Sequence, residues 1–240
     1  MKKDLTELVF ILDRSGSMSG LEQDTIGGYN SLLEKQKGEP GAATVTTVLF
    51  DDKYELLHDR INLQGVAPIT SRDYFVRGST ALLDAIGRTV DKIKNVQENT
   101  SEEQRAETVM FVITTDGMEN ASREYDYKKV KAIIEAQKKI GWEFLFIGAN
   151  IDAIGEASKF GITADRAVNY HADTRGTAVM YEAVGRSINF MRSEKCMSPG
   201  SDWKMEIEKD FADRQNGCNG EKHAKSSNRN VYEKLKSLFN

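Results

Sequence analysis

Short apolar segments alternate with amphipathic helical segments along most of this sequence, and this alternation restricts its fold more than any other feature. The segment 8–12 is continuously apolar, which is typical of a central strand covered on both faces. Further strands are predicted at 44–50, 54–61, 109–113, 142–147 and 168–170. Strands that alternate with helices predict an α/β fold, with a doubly wound, mostly parallel six-stranded sheet between two layers of helices.

The helical segments are recognised by apolar residues spaced three or four positions apart. The clearest begins near Ala81 and carries its apolar stripe on Leu82, Leu83, Ile86, Val90, Ile93 and Val96. Other helices are predicted at 21–37, 130–140 and 174–191. Only residues 51–53 separate the second strand from the third, which predicts an antiparallel hairpin and therefore one antiparallel edge strand.

The apolar periodicity ends near Glu194, where compositions rich in Ser, Pro, Gly and Asn begin. We therefore predict one domain at residues 1–193 and a tail at residues 194–240, with short helices near 203–214 and 231–239. The first of these helices carries three large apolar residues on one face, namely Trp203, Ile207 and Phe211. This stripe fits either a helix packed on the domain or an exposed helix that docks a partner.

Composition argues against several classes of function. A net charge of −4 and a pI near 5.6 give no electrostatic basis for binding nucleic acid or an anionic membrane. The N-terminal residues 1–7 include Asp4 and Glu7 and lack the apolar core of a signal peptide, so we expect a cytoplasmic protein. Cys196 and Cys218 have no metal-ligand spacing and are expected to be free thiols, with a disulfide or redox pair as the alternative.

Three loops that should converge carry oxygen-bearing side chains. Asp13, Ser15 and Ser17 follow the first strand at alternate positions, Asp116 follows the fourth strand, and Thr80 precedes the long helix. Ligands of an open parallel sheet bind at the carboxyl ends of strands where the strand order reverses, so these loops meet if the first and fourth strands are neighbours. Two carboxylates and three hydroxyls, without His or Cys, favour a hard divalent cation such as Mg²⁺.

The pattern Asp13-x-Ser15-x-Ser17 after an apolar strand, together with Thr80 and Asp116, resembles the metal-ion-dependent adhesion site (MIDAS) of von Willebrand factor A (VWA) domains. The chain is similar to stand-alone cytosolic members of bacterial or phage type. The resemblance implies that Ser15, Ser17 and, in the ligand-engaged state, Thr80 contact the metal directly, while the two aspartates act mainly through water. It implies Mg²⁺, with Mn²⁺ or Ca²⁺ as alternatives, and a partner protein that presents an Asp or Glu to the metal.

The resemblance covers residues 5 to about 190 and implies a Rossmann-like protein-binding module without catalysis, working within a multi-protein assembly. Two alternatives stay open, namely a metal-dependent hydrolase or phosphatase and a structural subunit whose metal never exchanges a ligand. Hydrolysis needs a base or nucleophile beside the metal and a cation for the charged transition state. Both nearby carboxylates, Asp13 and Asp116, are already assigned to the metal, and Arg14 is the one obvious cation.

Two further hypotheses concern the surroundings of this site. Arg14, Tyr74, Phe75 and Arg77 are predicted to form a partner-binding rim, because Tyr and Arg are favoured at interface hot spots. Ordinary loop packing is the alternative for these four residues. Asp and Ser residues after a strand also serve as helix N-caps, which is the structural alternative for residues 13–17.

Overall fold

The computed structural model describes residues 2–197 and 200–214. Within them one sheet contains six strands, β1 (Lys2–Asp13), β2 (Ala42–Phe50), β3 (Tyr54–Asn62), β4 (Ala106–Thr115), β5 (Glu143–Ala149) and β6 (Ala167–Tyr170). The same residues form the helices α1 (Glu22–Lys37), α2 (Leu82–Asn99), α3 (Tyr127–Lys138), α4 (Ala153–Lys159) and α5 (Thr174–Glu194). Residues 205–214 are also helical. No helix among the described residues combines the length and the apolar character needed to span a membrane.

The strand order is β3-β2-β1-β4-β5-β6. β1 pairs in parallel with β2 on one side and with β4 on the other, and only the β2–β3 hairpin is antiparallel in the described sheet. The prediction of a doubly wound, mostly parallel sheet with one antiparallel edge strand is confirmed. Since the chain builds outward from β1 in both directions, the strand order reverses between β1 and β4, where ligands of such sheets bind.

The continuous apolar character of β1 reflects burial on both faces of the sheet. Leu8, Phe10 and Leu12 belong to the apolar cluster formed with α1 and α5. Val9 and Ile11 belong to the second cluster, which α2, α3 and α4 cover. All five side chains are fully buried. Successive strand residues point to opposite faces, so a central strand with helices on both sides has no polar alternation to display.

The end of α3 lies two residues before the end predicted from the sequence. Ile140 was assigned to the third predicted helix, but α3 ends at Lys138 and Ile140 is 69% exposed. The helix ends because the backbone at Gly141 takes a positive φ of 90° and the N–H of Trp142 donates to the carbonyl of Gln137 at 3.2 Å. This is how glycine commonly terminates a helix.

Residues 200–214, here called the strap, run beside β6. Near the start of that strand, the indole N–H of Trp203 donates to the carbonyl of Asp165 at 2.7 Å, and Lys204 Nζ donates to the carbonyl of Ala167 at 2.9 Å. Just past its end, the carbonyl of Phe211 lies 3.2 Å from Nε2 of His171. The strap therefore extends along the whole of β6.

Two apolar residues of the strap, Trp203 and Ile207, join the cluster that includes α1, α5 and β6. Their burial favours packing on the domain over an exposed docking helix for this part of the tail. The helix predicted near 231–239 and Cys218 lie outside the described residues. Cys196 is an exposed free thiol.

Candidate metal site

The structure brings the five predicted side chains together at the carboxyl ends of β1 and β4. Ser17 Oγ donates to Asp116 Oδ1 at 2.5 Å, and the hydroxyls of Ser15 and Ser17 lie 3.1 Å apart. Thr80 Oγ1 donates to Ser15 Oγ at 3.0 Å. The backbone N–H of Ser15 donates to Asp13 Oδ1 at 2.6 Å. The three loops that carry these residues therefore meet in one hydrogen-bonded cluster, as their positions in the sequence predicted.

Both carboxylate oxygens of Asp13 are engaged by its own chain. Oδ1 accepts from Ser15, and Oδ2 accepts from the hydroxyl of Thr115 at 2.5 Å. Asp13 is fully buried, whereas Ser17 is exposed. Thr115 was missed by the sequence analysis, although it ends β4 directly before Asp116. Asp13 thus fixes the path of the first loop and supplies negative charge from beneath the hydroxyls.

The electrostatics of the cluster suit a cation. Burial raises the pKa of Asp13 to about 6, and the nearby charge of Asp116 adds to the effect. Burial also raises the pKa of Asp116, against the hydrogen bond from Ser17. Neither carboxylate forms a salt bridge within the described chain. Two poorly hydrated carboxylates without a countercharge are destabilised, and a divalent cation would supply the missing charge.

The backbone at Gly117 leaves space for such an ion. A Cβ atom added at Gly117 would lie 2.9 Å from Thr80 Oγ1 and 3.0 Å from Ser17 Oγ, so glycine keeps the region between these hydroxyls clear. In the described chain no three His, Cys, Asp or Glu side chains form a metal cluster, so the hydroxyls are the further side-chain ligands that this site offers. Hydroxyl and carboxylate oxygens are ligands that Mg²⁺ accepts, and the residues present fit the cation that the sequence predicts.

The structure does not support the alternative that residues 13–17 serve as a helix N-cap. α1 begins after Leu21, which provides no side-chain cap. Ser15 is the N-cap of the short 3₁₀ turn Gly16–Met18, yet its hydroxyl makes no capping hydrogen bond. The hydroxyls of Ser15 and Ser17 are directed into the cluster instead.

Thr80 is positioned by the loop that follows Asp116. The N–H of Thr80 donates to Asn120 Oδ1 at 2.9 Å, and the N–H of Asn120 donates to the carbonyl of Thr80 at 3.0 Å. Three residues further on, the N–H of Leu83 donates to Glu119 Oε2 at 2.8 Å, which caps α2 from outside the helix. Asn120 and Glu119 carried no periodic or motif signal, so the sequence analysis missed them.

The predicted rim is wrong for two of its four residues. Arg14 is fully buried, because its guanidinium is paired with the buried Asp51 at 3.1 Å and with Glu55 at 2.6 Å. Tyr74 is only 1% exposed, and its hydroxyl donates to the backbone carbonyl of Asp13. Both side chains support the first loop from below and cannot reach a partner.

The other two rim residues remain accessible. Phe75 is 41% exposed, and its ring lies 5.4 Å from the guanidinium of Arg14 and 5.2 Å from that of Arg77. Arg77 is partly exposed and pairs with Asp51 at 2.6 Å. The N–H of Arg77 donates to the carbonyl of Arg14 at 2.9 Å, which fastens the Phe75 loop beside the first metal loop. A role of Phe75 and Arg77 in partner binding stays a prediction.

The order of the strands and the position of the cluster define a class of α/β domain in which ligands bind at the carboxyl ends of β1 and β4, where the strand order reverses. No family model matches the chain, and no curated protein matches it in sequence. Solved structures do match, and they identify the architecture. The chain has the von Willebrand factor A fold.

Three of the matching structures illustrate the similarity. Proximal thread matrix protein 1 from the mussel byssus, with a zinc-occupied MIDAS motif, gives a TM-score of 0.52 at 15% identity, over 77% of this chain and 46% of that chain. The von Willebrand factor domain of a type V pilus tip protein from Porphyromonas gingivalis gives 0.54 at 11% identity, over 77% and 95%. The open conformation of the pilus adhesin SpaC from Lactobacillus rhamnosus GG gives 0.59 at 10% identity, over 79% and 30%. This chain thus matches less than half of the mussel protein, and identities this low establish the fold alone.

Proposed function

We propose that this chain is a protein-binding module that depends on a divalent metal ion, with Mg²⁺ as the resident cation. The observation that carries the proposal is the convergence of three hydroxyls and two carboxylates without a countercharge at one edge of the sheet. Ser15, Ser17 and Thr80 would hold the ion, with Asp13 and Asp116 supporting them. Bound there, the cation supplies an electrophilic position for an Asp or Glu side chain of the partner protein.

The chain's own residues suit this role in two ways. The hydroxyls of Ser15, Ser17 and Thr80 are neutral, so they hold a cation without cancelling its charge, and an incoming anion then gains strongly. Ser17 is also exposed, as is Gly16 beside it, so the cluster opens to the surface. The zinc-occupied MIDAS motif of the mussel protein supports the proposal by analogy of fold.

The same geometry makes the hydrolase alternative less favourable. Arg14, the one cation that the sequence offered for a charged transition state, is buried and paired with Asp51 and Glu55. The oxygens of Asp13 already accept two hydrogen bonds, so this carboxylate is not free to act as a general base. We therefore propose a role without catalysis.

Metal binding and partner binding are tested separately. Isothermal titration of Mg²⁺ and Mn²⁺ into the full chain should give one site, which Thr80→Ala weakens strongly. Thr163→Ala, a change at an exposed threonine remote from the site, is the matched control and should bind as the wild type does. Absence of any cation binding by the wild-type chain would refute the proposal.

Partner capture then separates an exchanging metal from a structural one. Tagged wild-type, Thr80→Ala and Thr163→Ala proteins are incubated with native lysate in Mg²⁺ or in EDTA, and bound proteins are identified by mass spectrometry. We expect specific partners in Mg²⁺ with the wild type and the control, and their loss with Thr80→Ala or EDTA. Partners that survive both treatments would indicate a structural metal or a binding surface elsewhere.

A further inference from the structure

Three exposed apolar side chains lie on the edge of the sheet that carries the candidate metal site. Among the described residues seven large apolar side chains are exposed, and three of these, Phe75, Met118 and Ile154, lie on loops or helix starts near the carboxyl ends of the parallel strands. Met118 is 61% exposed, and it directly follows Gly117, the residue that borders Ser17 and Thr80. Ile154 is 38% exposed, in the first turn of the helix after β5.

The strand order sets these three side chains on both sides of the metal loops. Phe75 is fastened beside Arg14 and therefore beside the loop that follows β1. Met118 follows β4, the neighbour of β1, and Ile154 follows β5, the neighbour of β4. A row formed by Phe75, Met118 and Ile154, here called the apolar row, thus crosses this edge of the sheet with the hydroxyl cluster between its first and second members.

The charged side chains that contact Phe75 or directly follow Met118 are already engaged. Arg77 and Arg14, against which Phe75 packs, are paired with Asp51 and Glu55. Glu119, which follows Met118, accepts the backbone N–H groups of Leu83, Ala121 and Ser122. A charged group of the partner placed against these residues would find their charges already paired and would lose hydration, whereas an apolar group would gain by burial.

We infer that the partner of this site is a protein segment in which one Asp or Glu is flanked on both sides by apolar side chains. The inference rests on the proposed function and specifies its partner class. One carboxylate complements the cation, and its apolar neighbours cover Phe75 on one side and Met118 with Ile154 on the other. Phe75 is held by two guanidiniums and loses little freedom on binding, which makes it an anchor, while Met118 adapts its shape to the partner.

The test uses three capped heptapeptides that differ only at the centre. Their sequences are Gly-Ser-Leu-Glu-Leu-Ser-Gly, Gly-Ser-Ser-Glu-Ser-Ser-Gly and Gly-Ser-Leu-Gln-Leu-Ser-Gly. Each is titrated into the 240-residue chain labelled with ¹³C at the methionine methyl groups, in Mg²⁺ and in EDTA, and binding is followed by NMR. The Met118 methyl signal is assigned by its disappearance in Met118→Gln.

We expect the Leu-flanked Glu peptide to bind in Mg²⁺ at least about fivefold more tightly than the Ser-flanked Glu peptide, with a shift of the Met118 methyl signal. Met118→Gln and Phe75→Ser should each reduce this preference, and the double variant should abolish it. Ile140→Gln changes an equally exposed apolar residue at the opposite edge of the sheet, and it should leave the preference intact.

The possible failures are distinguishable. Equal affinity for the two Glu peptides, or a preference that persists in the double variant, would overturn the inference and leave the proposed function standing. Binding of the Gln peptide as tight as that of its Glu counterpart, or binding insensitive to EDTA, would overturn the proposed function and the inference together. No binding of any peptide up to about 10 mM would do the same, because a metal-bound carboxylate with apolar support should exceed that affinity.

Discussion

Asn120 and Thr80 are joined by two reciprocal hydrogen bonds, of 2.9 and 3.0 Å, across forty positions of sequence. The side chain of Asn120 accepts from the backbone of Thr80, and the backbone of Asn120 donates back to it. Since Asp116 and Asn120 lie on the same loop between β4 and α3, these two bonds join the loop of the second carboxylate to the loop of the third hydroxyl. A displacement of one loop must move the other.

The first prediction follows from this linkage. Asn120→Ala removes the acceptor for the N–H of Thr80, so the Thr80 hydroxyl should lose its fixed position and Mn²⁺ affinity should fall about five- to tenfold, the worth of one hydrogen bond. Asn120→Asp retains an acceptor oxygen and should restore most of the affinity. Calorimetric Mn²⁺ titration measures both variants. Equal affinity of Asn120→Ala and wild type would mean that Asn120 does not position the hydroxyl.

The second prediction concerns stabilisation by the metal. A ligand at about 100 times its Kd raises the free energy of unfolding by about 2.7 kcal/mol, which amounts to several degrees in Tm for a domain of this size. Asp116→Asn should abolish this rise, because it removes the negative charge of one of the two carboxylates that support the metal, while its amide oxygen can still accept from Ser17. Asp213→Asn, an exposed aspartate in the strap, is the matched control and should keep the full rise in a differential scanning measurement with and without Mg²⁺.

The third prediction concerns pH in the absence of metal. The pKa of Asp13 is about 6 in the folded protein and 3.8 for an ordinary Asp, so between these values the folded state binds more protons than the unfolded state. Protonated Asp13 therefore stabilises the folded state relative to high pH. This stabilisation is complete below pH 4 and is lost as the pH rises through 6, and it amounts to a difference on the order of 3 kcal/mol in the free energy of unfolding.

Asp13→Asn isolates this contribution, because the amide cannot ionise. In EDTA the variant should gain stability over wild type as the pH is raised from 4 to 7, measured by urea unfolding at each pH. Saturating Mg²⁺ should shrink the difference, since the cation favours the ionised carboxyl of the wild type. A difference that stays constant with pH would contradict the raised pKa of Asp13.

The fourth prediction concerns the strap. Trp203 is buried and hydrogen-bonded to Asp165, so Trp203→Ala should lower the free energy of unfolding by about 3 kcal/mol. Met205→Ala, a change at a neighbouring side chain that is 59% exposed, should cost far less. Neither change should alter Mn²⁺ affinity at 25 °C. A loss of metal affinity in Trp203→Ala without a loss of stability would show that the strap acts on the site directly.

The sequence predicted the fold and the members of the cluster because both depend on local signals. Apolar periodicity identified the strands, and the positions of Ser15 and Asp116 after strands located them at one edge. Burial of Arg14 was not predictable in this way, since its partner Asp51 lies thirty-seven positions away. Nothing local distinguishes an arginine that will face solvent from one that will neutralise a distant buried aspartate.

The residues that position the site were missed for the same reason. Thr115, Glu119 and Asn120 act through hydrogen bonds to loops between thirty-six and 102 positions distant, and such bonds leave no periodic pattern. Only the spatial adjacency of β1, β4 and the start of α2 gives them a role. The spacing of the motif therefore identified the hydroxyls and carboxylates that could bind a cation. The tertiary structure was needed to identify the residues that position them.

The course of the strap beside β6 has a consequence for self-association. A terminal strand whose outer N–H and C=O groups are free invites another chain to extend the sheet, which is a route to aggregation. In β6, Lys204 Nζ donates a hydrogen bond to the carbonyl of Ala167, and the strap contacts the chain again at His171, just past the end of β6. At the other margin β3 pairs irregularly with β2 and carries charged residues such as Asp59 and Arg60. Both edges of the described sheet thus discourage the addition of a strand from another chain.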